Sequence, residues 1–191
     1  MKIISVDPVY EGKFLKFYHY KLDDGRKYEV ISRHQVNMEN INNNLSDAVD
    51  IIAFDPTFQK VLVIKEWRPP ANDYIYAFPA GLRDAGETIV ETATRELFEE
   101  TGATIKTIFK ILPPAYQSAG MTNETVASVI CIAEGDLINT NASIHEDITP
   151  LWISKKEVKQ LFDSNKKFSG RCQMVLWMWA YDNFFLNKDF F

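Results

Sequence analysis

Three glutamates crowd the end of one predicted helix, in the stretch GETIVETATRELFEETGA at residues 86–103. Glu96, Glu99 and Glu100 stand close enough to repel one another, and each like-charge pair at helical spacing costs roughly 0.2–0.5 kcal/mol. Glu96 and Glu100 fall about 40° apart on a helical wheel. Convergent carboxylates suit a divalent cation, because Mg²⁺ and Mn²⁺ prefer oxygen ligands. The alternative interpretation is an acidic helix face that points into water.

The position of these carboxylates favours the cation. Val90, Ala93 and Leu97 predict the buried stripe of the helix, and Glu96 and Glu100 border that stripe. Between Gly81 and Ala103 there are six acids and two arginines, so this stretch holds a charge of -4 out of the chain's formal -5. A bound divalent cation would remove most of that repulsion.

The spacing of the glutamates follows a longer pattern, G-x5-E-x7-R-E-U-x-E-E-x-G-U, in which U is a bulky apolar residue. Every fixed position is matched, and only the last U is soft because Ala103 is small. Seven fixed identities would occur by chance in about one chain in a million. The stretch therefore resembles the signature of the Nudix hydrolase family. The matched positions are Gly81, Glu87, Arg95, Glu96, Leu97, Glu99, Glu100 and Gly102.

The resemblance implies a Nudix-type α/β/α sandwich with a mixed sheet, in which the signature forms a loop, a helix and a loop. It also implies a site that holds Mg²⁺ or Mn²⁺, as two or three ions. The implied metal ligands are Glu96, Glu99, Glu100 and the backbone carbonyl of Ala80. Arg95 is expected to orient the glutamates through charge-assisted hydrogen bonds, with Glu87 in a supporting role.

The implied reaction is hydrolysis of the pyrophosphate bond of a nucleoside diphosphate linked to another moiety. Such a substrate is polyanionic, so an acidic pocket accepts it only through metal ions that also lower the pKa of a bound water. A base must then take the proton of that water. Glu146, in HEDITPLWIS, is our choice for this base; Asp147 and Glu124 are alternatives, and each is otherwise an ordinary solvated acid.

Within the family, KEWRPPANDYIYAFPAGL (residues 65–82) resembles the segment that leads into the signature in ADP-ribose pyrophosphatases, roughly K-Q-x-R-P-P…E-x-P-A-G-L. Arg68 matches the arginine that contacts substrate phosphates, although a surface salt bridge would also explain it. Arg33 completes a match to an early E-V-x-x-R pattern, and Glu124 is a further candidate for substrate contact. The aromatic residues of the N-terminal strands suit either the core or a stacked base: Phe17, Tyr18, Tyr20 and Tyr28.

Two departures from the subfamily pattern bear on the substrate. Ala77 stands where the pattern has glutamate, and Ala119 stands where it has proline. ADP-ribose, giving AMP and ribose 5-phosphate, is the predicted substrate; another nucleoside diphosphate sugar or a dinucleotide is the alternative. A non-catalytic Nudix-fold regulator is the alternative of another class, but such proteins commonly lose signature glutamates. An isopentenyl diphosphate isomerase would need a cysteine upstream of the signature, and both cysteines lie downstream.

Composition limits the partners and the compartment. The acidic balance argues against nucleic acid, an RNA decapping role and acidic membranes. No apolar run is long enough to span a bilayer, and the opening MKIISVDPVY is not a signal peptide. Cys131 and Cys172 are expected to be buried and reduced. We therefore predict a cytoplasmic enzyme with a small-molecule substrate, and a homodimer from the resemblance.

The elements that must position these residues follow from pattern and turn signals. Residues 1–45 predict an N-terminal antiparallel strand module with a hairpin turn at Asp24-Gly25, and 46–191 the Nudix hydrolase domain. In the second region, apolar runs predict strands near 48–54, 60–67, 74–78, 104–112, 124–133 and 148–154. Helices are predicted at about 88–101, at 155–165 and from about 170 to 185.

Overall fold

The computed structural model describes residues 1–41, 45–138 and 147–181. The chain divides into two compact units, which are described separately. Unit 1 comprises Met1–Asp47 and Pro113–Ala127, and unit 2 comprises Ala48–Leu112 and Ser128–Phe191.

Unit 1 is built on an antiparallel sheet of three strands in the order β1-β2-β3. These strands are β1 (Ile3–Glu11), β2 (Lys16–Leu22) and β3 (Lys27–Ser32). The predicted hairpin is confirmed, and Gly25 has a φ of 86°, which only glycine adopts without strain. Strand β1 was not predicted, because Pro8 interrupts its sequence; as an edge strand it tolerates a proline.

Burial separates the aromatic residues of β2 and β3. Tyr18 and Tyr20 are buried with Val30 and Val36 in the core of unit 1, whereas Phe17 and Tyr28 lie outside that core. The core interpretation therefore holds for two of the four aromatic residues.

Unit 2 contains a mixed sheet of eight strands. Its path is β11-β6-β5-β4-β9-β8, with β10 paired to β5 and β7 paired to β4. The strands are β4 (Ala48–Phe54), β5 (Lys60–Arg68), β6 (Asp73–Ala77), β7 (Ala80–Leu82), β8 (Thr104–Tyr116), β9 (Thr125–Glu134), β10 (Ile148–Ser154) and β11 (Lys167–Phe168). The predicted strands are thus confirmed. The last residues of β8 and the first residues of β9 belong to unit 1.

Helices cover both faces of this sheet. On one face, Ala93 and Leu97 of α1 (Ile89–Thr101) pack against Val49, Ile51 and Leu62. On the other face, α2 (Lys155–Phe162) and α3 (Gly170–Tyr181) pack against the intervening strand residues, because alternate strand side chains point to opposite faces. The predicted α/β/α sandwich is confirmed. None of the helices in the described ranges is long and apolar enough to cross a membrane.

Both ends of α1 are fixed by local chemistry. Thr88 caps the N-terminus in a reciprocal capping box with Glu91, and Gly102 ends the helix with a φ of 76°. The predicted span and its glycine cap are confirmed. The predicted buried stripe is wrong at Val90, which is 39% exposed; buried residues on the helix are instead Thr92, Ala93, Leu97 and Thr101.

The last helix and the two cysteines complete the core. Trp179 is buried against the sheet and Trp177 is half-exposed. The predicted end of α3 near 185 lies outside the described residues. Cys131 and Cys172 are both buried and free, as predicted, and burial raises the pKa of Cys131 to about 12.

Candidate functional site

The carboxylates of α1 converge on strand β7. β7 is held against β4, with Ala80 opposite Asp50. The backbone N–H of Ala80 donates to Oε2 of Glu100 at 2.9 Å. Glu96 lies over Gly81, so closely that a Cβ on that glycine would stand 1.9 Å from the Glu96 carboxyl group. A side chain at position 81 would displace that carboxyl group, and the predicted ligands Glu96 and Glu100 thus meet the adjacent residues Gly81 and Ala80.

Arg95 is the positive partner of the crowded glutamates. Its Nε and Nη2 bind the two oxygens of Glu87 at 2.8 and 2.9 Å. Its Nη1 donates to Glu96 at 2.7 Å and to Glu99 at 3.2 Å, and Nη2 also donates to the carbonyl of Leu82 at 3.1 Å. These bonds, led by those to Glu87, raise the pKa of Arg95. The repulsion among the carboxylates is thus offset by one guanidinium within the protein.

Glu87 is itself held from several sides. It accepts hydrogen bonds from the Asp84 N–H at 3.1 Å and the Thr92 hydroxyl at 2.8 Å. The bonds from Arg95, followed by that from Asp84, lower the pKa of Glu87 to about 2. Arg83 binds the Glu87 carbonyl at 2.7 Å. The signature pattern leaves Asp84 and Thr92 unspecified, so sequence reasoning missed both.

The donor set of this cluster fits a hard divalent cation. Carboxylate and carbonyl oxygens are the ligands that Mg²⁺ and Mn²⁺ prefer. Within residues 1–41, 45–138 and 147–181, no group of three or more His, Cys, Asp or Glu side chains is assembled in metal-binding geometry. The structure therefore does not gather Glu96, Glu99 and Glu100 into such a group, and their role as metal ligands stays a prediction.

Arg68 lies at the end of β5, paired with a buried carboxylate. Its Nη2 is 2.7 Å from Oε2 of Glu66; the side chain of Arg68 is 54% exposed and that of Glu66 8%. The salt bridge considered from the sequence is therefore present, but its partner is buried rather than on the surface. Glu66 had not been singled out, because it is a lone acid in the apolar run KVLVIKEW.

The three candidate bases are placed differently. Glu146 lies outside the described residues. The Asp147 carboxylate accepts a hydrogen bond from the Tyr74 hydroxyl, and its carbonyl accepts one from the Trp67 N–H at 3.1 Å. The third candidate, Glu124, belongs to unit 1.

In unit 1, the structure brings Arg33 and Glu124 together as an ion pair through Nε and Oε1. The sequence named each for substrate contact but gave no sign of this pairing across 91 positions. Ala119 lies in a turn in which the N–H of Met121 donates to the Ser118 carbonyl at 2.8 Å.

An open cavity of about 460 Å³ lies beside this turn, wholly within unit 1. The half-buried ring of Phe17 and the exposed ring of Tyr28 line it, and the Tyr28 hydroxyl donates to the Gly120 carbonyl at 3.1 Å. The other lining residues are Lys27, Glu29, Ile31, Gly120 and Met121.

Comparisons with known proteins agree with this fold. The model of the NUDIX domain matches residues 44–172. The chain is 30% identical to the ADP-sugar pyrophosphatase of Mus musculus over 144 residues, 70% of this chain and 62% of the mouse protein. It is 26% identical to the ADP-ribose pyrophosphatase of Bacillus subtilis (strain 168) over 176 residues, 89% of this chain and 87% of that protein. It is 28% identical to the ADP-ribose pyrophosphatase of Escherichia coli O157:H7 over 178 residues, 87% of this chain and 81% of that protein.

The chain therefore belongs to the Nudix hydrolase family. The predicted resemblance to ADP-ribose pyrophosphatases and the predicted class of enzyme, a Nudix pyrophosphohydrolase, are confirmed. The match spans less than two thirds of the mouse relative's length.

Proposed function

We propose that this protein hydrolyses the pyrophosphate bond of a nucleoside diphosphate linked to another moiety, with a divalent metal ion, and that ADP-ribose is cleaved to AMP and ribose 5-phosphate. The observation that carries the proposal is the convergence of Glu96 and Glu100 on the adjacent residues Gly81 and Ala80, beside an arginine that binds three carboxylates. Relatives named ADP-ribose pyrophosphatase support the choice of substrate.

Glu96, Glu99, Glu100 and the carbonyl of Ala80 would hold Mg²⁺ or Mn²⁺, as two or three ions. When bound, the metal supplies Lewis acidity at the phosphates and lowers the pKa of the attacking water. Arg95 sets the direction of the Glu96 and Glu99 carboxylates, and Glu87 in turn fixes Arg95. Residues such as Arg95 and Glu87, which do not bind the metal themselves, tune a metal site by orienting its ligands.

Arg68 is proposed to bind a substrate phosphate, because its exposed guanidinium keeps a fork of N–H donors suited to phosphate oxygens. Glu146 remains our proposed base. Two contacts support it over its rivals: Asp147 is bound to the hydroxyl of Tyr74, and Glu124 is paired with Arg33.

For unit 1 we propose a role in nucleoside recognition. The cavity lined by Phe17 and Tyr28 offers aromatic faces on which a base would stack, and Arg33 and Glu124 offer polar groups for the rest of the nucleotide. A homodimer and a cytoplasmic location remain predictions.

The alternative substrate, another nucleoside diphosphate sugar or a dinucleotide, is favoured by specific residues. Ala77 is buried on β6 and offers no carboxylate, and Ala119 replaces the proline of the subfamily pattern. A non-catalytic regulator is the less supported alternative, because every glutamate of the signature is present.

The test is a Mg²⁺-dependent hydrolysis screen over ADP-ribose, other nucleoside diphosphate sugars, dinucleotides and nucleoside triphosphates, with Glu100→Gln as control. We expect AMP release from ADP-ribose, and a loss of about a thousandfold in Glu100→Gln, since a metal contributes several kcal/mol to the transition state. The glutamine retains an oxygen for the Ala80 N–H, so the fold should persist, which thermal unfolding checks. Full activity in this variant would refute the ligand assignment, and the absence of metal-dependent turnover on any substrate would refute the proposed function.

A further inference from the structure

Glu66 is a buried carboxylate on the sheet face that carries α1. Residues 62, 64 and 66 of β5 share one face, because strand side chains alternate. Leu62 packs with α1 residues, and Ile64 packs with Ala77 and Ile148. Glu66 therefore continues an apolar face, opposite Ile75 on one side and Ile148 on the other.

A carboxylate in such surroundings needs a compensating charge, because removing it from water carries a large cost. Nη2 of Arg68 provides this charge at 2.7 Å. The buried partner is fixed by the strand, while the side chain of Arg68 is half-exposed. The pair thus holds one edge of Arg68 and leaves the side chain accessible to a ligand.

The position of Glu66 also bears on the missing glutamate at Ala77. In the β5–β6 register, Ile64 faces Ala77 and Glu66 faces Ile75, so Glu66 and Ala77 are diagonal neighbours on one face. The subfamily pattern has glutamine at position 66 and glutamate at position 77, and this chain has Glu66 and Ala77. Compared with the subfamily pattern, this chain carries the carboxylate on β5 instead of on β6, two residues before the arginine that we propose to bind phosphate.

We propose that Glu66 is a positioning residue that makes Arg68 a selective phosphate contact: the Glu66–Arg68 pair has no net charge and therefore favours a diphosphate flanked by uncharged groups over a more highly charged polyphosphate. This proposal rests on the proposed function. A lone arginine attracts each added phosphate charge, whereas a neutral pair keeps the directed hydrogen bonds and loses most of that attraction.

Glu66→Gln tests this selection, because it keeps the shape and a hydrogen-bond acceptor for Arg68 while giving the pair a net positive charge. Binding of non-hydrolysable, methylene-bridged analogues of ADP-ribose and ATP is measured by calorimetry with Mg²⁺. We expect the preference for the ADP-ribose analogue over the ATP analogue to fall about tenfold, through tighter binding of the ATP analogue.

Glu134→Gln is the matched control, because it removes the same charge from an exposed pair with Lys106 at 2.6 Å. It should leave the preference unchanged. An unchanged preference in Glu66→Gln, or an equal change in Glu134→Gln, overturns the proposal. These binding ratios are read without turnover, so a wild-type enzyme that fails to cleave ADP-ribose would refute the proposed function separately from the role of Glu66.

Discussion

Two arginines of unit 2 meet carboxylates in opposite ways. Arg95 uses all three guanidinium nitrogens on the protein, reaching Glu87, Glu96, Glu99 and a backbone carbonyl. In the part of the chain that the structure describes, Arg68 uses Nη2 on a single partner. The side chain of Arg95 is 27% exposed and that of Arg68 is 54% exposed. Arg95, whose nitrogens are all bonded to protein acceptors, therefore fixes the side chains around it. Arg68, bound at one edge, retains donors for a ligand.

The largest fall in kcat should come from a change at Gly81, which lies against the Glu96 carboxyl group. Gly81→Ala would place a Cβ 1.9 Å from the carboxyl group and push it away from the position set by Arg95. A displacement of about 1 Å at a catalytic group costs on the order of a hundredfold in rate. We expect kcat to fall by that factor, measured with saturating Mg²⁺ and ADP-ribose.

Gly170→Ala is the control for this change, because no atom lies within 4 Å of the added Cβ there. It should retain wild-type kcat. A Gly81→Ala enzyme with normal kcat would show that the Glu96 position is not needed.

Arg95→Lys tests the saturated arginine. One ammonium cannot reproduce two bonds to Glu87 together with bonds to Glu96 and Glu99. We expect kcat to fall by 10- to 100-fold, as a rough value for residues that orient metal ligands, and the Mg²⁺ activation midpoint to rise. Titration of activity with Mg²⁺ measures both, and an unchanged midpoint would contradict an orienting role.

Arg68→Lys is the counterpart of Arg95→Lys. It tests the arginine that, among the described residues, has a single protein partner. Loss of the bidentate fork should raise KM for ADP-ribose about tenfold, while kcat and the Mg²⁺ midpoint stay near wild type. Steady-state kinetics at several Mg²⁺ concentrations separate these effects. If both lysine variants changed the same parameter, the distinction between the two arginines would be wrong.

The smallest effect is on stability in acid. The pKa of Glu87 is lowered from 4.5 to about 2 in the folded protein by Arg95 and its other donors. Because the folded pKa lies below the unfolded one, this stabilisation is present above about pH 4.5 and is lost as the pH falls toward 2. We expect Glu87→Gln to be less stable than wild type at pH 7, with the gap closing over that window. Urea unfolding at a series of pH values measures it, and a gap independent of pH would refute the shift.

The sequence predicted what is local and periodic. α1, its glycine cap and the strands of unit 2 follow from apolar spacing and turn residues within short windows. The cluster around Arg95 spans only residues 81–102, and the resemblance of this stretch to the Nudix signature implied that Arg95 orients the glutamates.

Other features depend on packing between distant segments. Arg33 and Glu124 meet across 91 positions, which no local pattern encodes. Val90 suits a buried stripe by periodicity, but α1 packs through Thr92 and Thr101 instead. In the sequence, Glu66 is a lone acid in an apolar strand, and only the pairing of β5 with β6 shows that it neighbours Ala77.

The two cysteines provide internal reporters for unit 2. Cys131, on β9, lies in the core on the α1 side of the sheet, and Cys172, on α3, lies in the core on the opposite side. Burial raises the pKa of both thiols, so little thiolate exists at neutral pH and reagents reach it only when the structure opens. The alkylation rates of the two sulfurs would therefore time the opening of each side of the sheet independently, in the native enzyme and without an attached probe.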